Sequence, residues 1–168
     1  MQETNNVSPE PVSMRILDQM EKEGICMECL SSGDIVDLFR LQAKRDDSGD
    51  KPILKNSAFT FFPDKICFAF NYSIAGKNEK KDRSDLKFTG TIINGSNGVL
   101  SEDEKVLIEP QGNKIHKRVY ESFGTGNSLP VKVFFKSMIE DALRPNIEIT
   151  EMKLVRNKLS LITKSKTR

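Results

Sequence analysis

The stretch from Leu129 to Lys164, LPVKVFFKSMIEDALRPNIEITEMKLVRNKLSLITK, constrains the fold more than any other. Val131, Phe134, Phe135, Met138, Ile139, Ala142 and Leu143 recur at helical spacing, and Lys132, Lys136, Ser137, Glu140 and Asp141 fill the positions between. One face of such a helix is apolar and the other wet. Ser128 is placed to cap it, Pro130 stands where a missing N–H costs nothing, and Pro145 drives Arg144 out of the α region. A hairpin follows. With Arg156-Asn157 as a two-residue turn, Leu154 faces Leu159, Met152 faces Leu161 and Thr150 faces Thr163. Leu154, Met152, Leu159 and Leu161 then share one face, as a sheet covering the helix needs. Ile147, Ile149 and Ile162 fall on the other, so either both faces are covered or a bulge near Thr150 switches sides.

A second hairpin is written in phenylalanine. Phe59 and Phe61 alternate with Ala58, Thr60 and Phe62, Pro63-Asp64 turns, and Ile66, Phe68, Phe70 and Tyr72 alternate with Lys65, Cys67 and Ala69. Pairing across the turn sets Phe61 opposite Ile66 and Phe59 opposite Phe68, giving one strongly aromatic face.

Between these landmarks the elements are shorter. Val12, Ile16, Leu17 and Met20 mark a helix opened by Pro11 and ended by Gly24, and Ile25 to Leu30 is ambiguous. Ser31 with Asp34 reads as a capping box ahead of Ile35, Leu38, Phe39 and Gln42 at helical spacing. Leu86, Phe88 and Ile92 mark a strand, NGSNG a turn, and Val106 and Ile108 another strand. Asn113 caps a predicted helix whose Ile115, Val119 and Phe123 face inward, with Gly124 at its end. Strands run consecutively instead of alternating with helices. The expected class is α+β: an antiparallel sheet of about six strands packed on amphipathic helices, with a C-terminal helix followed by a β-hairpin. Residues 1–11 read as a disordered lead-in, 12–164 as a single domain and 165–168 as a basic tail.

At 168 residues the chain is long enough for one sizeable core, and ten Phe with no Trp make that core a phenyl one. No apolar run approaches the ~20 residues that span a bilayer. MQETNNVSPEP has neither a basic nor an apolar leader pattern, so the expected compartment is the cytoplasm, or the periplasm or exterior if a signal was removed. Residues 1–50 carry 5 basic and 11 acidic groups, whereas residues 153–168 carry 6 basic groups and no acid. The basic end lacks interleaved aromatics and reads as a solvated surface; no nucleic-acid partner is expected. Cys26 and Cys29 have metal-ligand spacing, and Cys67 with His116 could complete a set. A second paired knuckle is missing, so neither metal nor other cofactor is expected. His116 lies among Lys114, Lys117 and Arg118 without an orienting acid, and Gly124 to Ser128 lacks the lysine of a phosphate loop. No residues stand out as catalytic, which points away from an enzyme.

Taken in order, SSGDIVDLFRL, LKFTGTIINGSNGVL, IEPQG, LPVKVFFKSMIEDAL and IEITEMKLVRNKLSLITK give a helix, a strand with a glycine turn, a P-x-G step, a helix opened by Leu-Pro and a hairpin. From Ser32 to Lys164 this order resembles LmeA-like and TULIP-type bacterial lipid-binding domains. The resemblance implies a curved sheet wrapped on a helix with an apolar groove. The functional expectation is a non-enzymatic domain holding an apolar, lipid-like small molecule between helix and sheet, lined by Phe59, Phe61, Phe68, Phe70, Phe134, Phe135 and Met138. The alternatives are a module that binds a protein partner around a plain packed core, and a nucleic-acid-binding domain using the basic helix and tail.

Overall fold

The computed structural model describes residues 11–45, 53–74, 84–111, 129–143 and 145–166. In chain order these form α1 (Val12–Glu23), β1 (Ile25–Leu30), α2 (Ser32–Lys44), β2 (Ile53–Phe62), β3 (Lys65–Ile74), β4 (Ser84–Ile92), β5 (Lys105–Gln111), β6 (Leu129–Pro130), α3 (Val131–Leu143), β7 (Ile147–Leu154) and β8 (Leu159–Ser165). The class is α+β with antiparallel pairing throughout, and a C-terminal helix is followed by a hairpin. The strands divide between two sheets, one of three in the order β1-β8-β7 and one of five in the order β2-β3-β4-β5-β6.

Local chemistry explains each boundary. Gly24 ends α1 in the left-handed region at φ 73°, its N–H donating to the Met20 carbonyl at 2.8 Å. The Ser31 hydroxyl accepts from the Asp34 N–H at 3.2 Å while the Asp34 carboxylate accepts from the Ser31 N–H at 3.0 Å, closing the capping box that opens α2. The ambiguous Ile25–Leu30 segment is a strand, pairing with β8 so that the start and end of the chain share one sheet. Pro130 differs from its expected place. It lies in the two-residue strand β6, opposite Lys105, and α3 begins after it with the Val131 N–H donating to the Glu104 carbonyl. A proline is tolerated there because β6 borders the sheet.

The C-terminal hairpin resolves the two options left by its sequence. Leu154 does pair with Leu159 and Met152 with Leu161, but a bulge between Ile149 and Glu151 sets Ile149 opposite Thr163. That extra residue turns Ile147 and Ile149 to the same buried side as Met152, Leu159 and Leu161. Thr163 is buried with them, its hydroxyl donating to the Met20 sulfur at 3.2 Å. Helix α3 packs against β4, β5 and β6 of the larger sheet and β7 of the smaller, and α2 packs against β2 and β1. One continuous apolar core therefore runs from Val12 and Ile16 through the helices to Ile66, Phe88 and Val106. The predicted helix from Asn113, the Ser128 cap and the Gly124–Ser128 loop lie outside the described residues.

Candidate functional site

All seven predicted site residues border one aromatic core or lie within it. In the larger sheet Phe61 pairs with Ile66 and Phe59 with Phe68, as the alternation requires, and Phe70 pairs with Phe88 of β4. Helix α3 lays Phe134 and Phe135 on this face. Phe134 stacks on Phe70 at 6.0 Å and on Phe88 at 5.4 Å, and Phe135 meets Phe68 edge-on at 5.2 Å. Stacked and edge-on geometries at these separations are the ones a ring quadrupole favours. Phe68, Phe70, Phe134, Phe135 and Met138 are buried, whereas Phe59 and Phe61 are only partly covered.

Two rings outside the predicted set complete the cluster. Phe39 of α2 touches Phe59, Phe70, Phe134 and Phe135 at 5.2–6.4 Å and so sits at its hub. Phe88 stacks on Phe70 at 5.1 Å. Both were visible as core positions, Phe39 by helical spacing and Phe88 by alternation, but neither pattern says which faces meet. Tyr72 closes the far end, its hydroxyl donating to the Phe39 carbonyl at 3.3 Å. Burial pushes that phenol well above the usual tyrosine range.

The cysteine pair is separated by the pleat. Cys26 and Cys29 are three apart in a strand, so they point to opposite faces, Cys26 buried beside Thr163 and Cys29 exposed beside Ser160. One ion cannot be held by both. Cys67 lies in the other sheet, 3.9 Å from the Thr91 hydroxyl. Burial, with Glu28 adding to it, raises the Cys26 thiol above its ordinary value. Among the described residues no three His, Cys, Asp or Glu side chains converge on a cation-sized site. His116 and its basic neighbours lie outside the described residues.

Polar side chains tie the layers together. Arg15 of α1 reaches Glu28 of β1 at 3.5 Å and Asp34 of α2 at 3.7 Å. Glu140 of α3 accepts the Ile149 N–H at the β7 bulge at 2.7 Å, and Lys136 holds the same carboxylate at 2.9 Å. Asn94 brackets the hairpin, donating to the Leu154 carbonyl and accepting its N–H. No described helix is long and apolar enough to cross a membrane.

The fold and its ring cluster thus define an α+β protein in which two antiparallel sheets share a phenylalanine-rich core. Compared with family models, curated proteins and solved structures, the chain matches none.

Proposed function

We propose that this chain is a non-enzymatic binding domain that holds an apolar, lipid-like ligand at the flank of its aromatic core. The position of Phe59 and Phe61 carries this reading. Both stand on β2, which borders the larger sheet, and pack on the core while only partly covered, as Leu41 of α2 and Leu54 of β2 also do. An acyl chain laid along β2 would extend the core past its partly covered phenylalanines, at ~0.8 kcal/mol per methylene buried. Phe68, Phe70, Phe134, Phe135 and Met138 form the wall behind that seat; they are too enclosed to be its surface. The resemblance of the sequence's element order to lipid-binding domains points to the same class. Tyr72 and Cys26, both shifted upward by burial, are groups made less ready to ionise, which suits structure and not acid–base work. Free thiols suit a reducing compartment, and we place the protein in the cytoplasm.

A second reading, a protein-interaction module with a plain core, is favoured by the ring contacts between Phe39, Phe70, Phe88, Phe134 and Phe135, which fill the space between helices and sheet. A nucleic-acid role has less support: Lys164 on the hairpin faces Glu148 across the strands, so one of its basic groups there meets a carboxylate.

Melting the protein against fatty acids and phospholipids distinguishes the first two readings. Saturating ligand should raise stability by ~2.7 kcal/mol at a hundredfold excess over Kd. Phe61→Ser should weaken that gain more than it weakens the free protein. If no lipid class moves the transition, the lipid reading falls and the interaction module stands.

A further inference from the structure

The outer edge of β1 is built for a strand that the chain itself can supply. Four of the described strands border the two sheets, and three are blunted in ways that discourage edge pairing. β7 is bulged between Ile149 and Glu151 and carries Glu148, Glu151 and Lys153. β2 is irregular between Leu54 and Ser57 and carries Lys55. β6 has two residues, one of them Pro130. β1 has six residues in unbroken register with β8, no proline, and one charge, Glu28, engaged by Arg15 at 3.5 Å. Among the described strands none pairs with its other side.

Its outward groups can be assigned from one hydrogen bond. The Ser165 N–H donates to the Gly24 carbonyl at 3.3 Å, so that carbonyl points toward β8. Across a trans peptide the Ile25 N–H points the opposite way. In an extended strand a residue's N–H and C=O share a side and alternate along the chain. Ile25, Met27 and Cys29 therefore aim their backbone groups at the free edge. The same three residues have exposed side chains, Met27 the most open at 70% and Ile25 at 49%.

We propose that β1 pairs antiparallel with β1 of a second copy about a two-fold axis through Met27. In that register Met27 meets the partner copy's Met27 and Ile25 meets its Cys29, so every outward N–H and C=O of these residues finds a partner. Charge favours this register over one centred on Glu28. Glu28 faces the uncharged Cys26 of the other copy, whereas centring on Glu28 sets two carboxylates directly opposite. On the outer face each Met27 lies beside its own Ile162, so an apolar stripe runs Ile162–Met27 and on through the symmetric pair. Two three-stranded sheets become one of six strands with isologous contacts. A single paired edge buries less than the ~1,600 Å² of a standard interface, so the dimer forms in the micromolar range and depends on concentration.

Sedimentation equilibrium of the full chain over roughly two decades of concentration around 1 μM tests this. The mass should climb from monomer to dimer. Met27→Lys, which changes only an exposed side chain, should weaken association by tenfold or more (about 1.4 kcal/mol) by placing two ammonium groups together at the axis. Met27→Pro should abolish it by removing the central donor. Ile25→Cys should give a covalent dimer under mild oxidation, and adding Cys29→Ser should remove it. A monomer at every concentration, a dimer that survives both Met27 substitutions, or a cross-link indifferent to Cys29 would each overturn the proposal.

Discussion

At Gly90 a single missing carbon decides the packing. Gly90 pairs across the sheet with Phe68, and a β-carbon there would come within 2.6 Å of the Phe68 ring and 3.4 Å of Val131. Gly90→Ala should destabilise by about 1–3 kcal/mol in urea unfolding, because the buried Phe68 ring, which meets Phe135 edge-on, must shift to make room. Phe135 itself is fully buried, and Phe135→Ala should cost about 3–5 kcal/mol; a loss below about 1 kcal/mol would show that α3 does not rest on the sheet. Burial also sets an alkaline limit. The Cys26 thiol is raised above its unfolded value of 9.0, so its contribution to stability is complete below that pH and is lost as pH rises through the folded value. Tyr72, raised from 10.0, adds a second decline further up. Urea midpoints should therefore fall from about pH 9 upward, and Cys26→Ala should flatten the first part of that slope. An unchanged slope in the variant would assign the effect elsewhere.

Among the elements, legibility followed periodicity. The helical stripe from Val131 to Leu143 and the alternation from Phe59 to Tyr72 each identify a face; the structure buries the stripe and the β3 part of the alternation, and covers Phe59 and Phe61 in part. β1 was hidden because its buried and exposed sets, Cys26 and Leu30 against Ile25, Met27 and Cys29, do not differ in polarity. Only its pairing with a strand far along the sequence makes it one. The bulge at Thr150 was legible as an option, but the choice came from tertiary contact: Glu140 takes the Ile149 N–H there. The candidate site shows the same division. Its phenylalanines could be assigned to faces, yet the hub, Phe39, emerges only when α2 meets the sheet. The hairpin turn offers a check at this scale. Arg156 and Asn157 occupy the left-handed region at φ 51° and 64°, closed by the Val155 N–H to Lys158 carbonyl bond at 2.9 Å and its reciprocal. Asn enters that region more easily than Arg, so Arg156→Asn should stabilise by about 0.5–1 kcal/mol. A loss in the urea midpoint would mean that the Arg156 side chain makes a contact worth more than the backbone strain.

For the whole molecule, α3 is what both sheets have in common. Its apolar stripe contributes to a core fed by Phe68 and Phe88 on one side and Ile149 and Met152 on the other. Glu140 binds it to β7, while the Leu100 N–H donates to the Met152 carbonyl from the loop that leaves β4. Neither sheet can therefore lose its strands without uncovering apolar surface on the other. Ile139, fully buried in the middle of α3, tests this coupling. Ile139→Ala should cost about 2–5 kcal/mol, and the whole of that loss should appear in the slowest-exchanging amides of both β3 and β8. Native-state hydrogen exchange followed by mass spectrometry reads the two strands separately. Equal opening free energies in the parent chain, falling by equal amounts in the variant, mean a single cooperative unit. If β8 opens at lower free energy than β3, or only one strand responds to the substitution, the shared core does not couple the sheets, and each unfolds on its own.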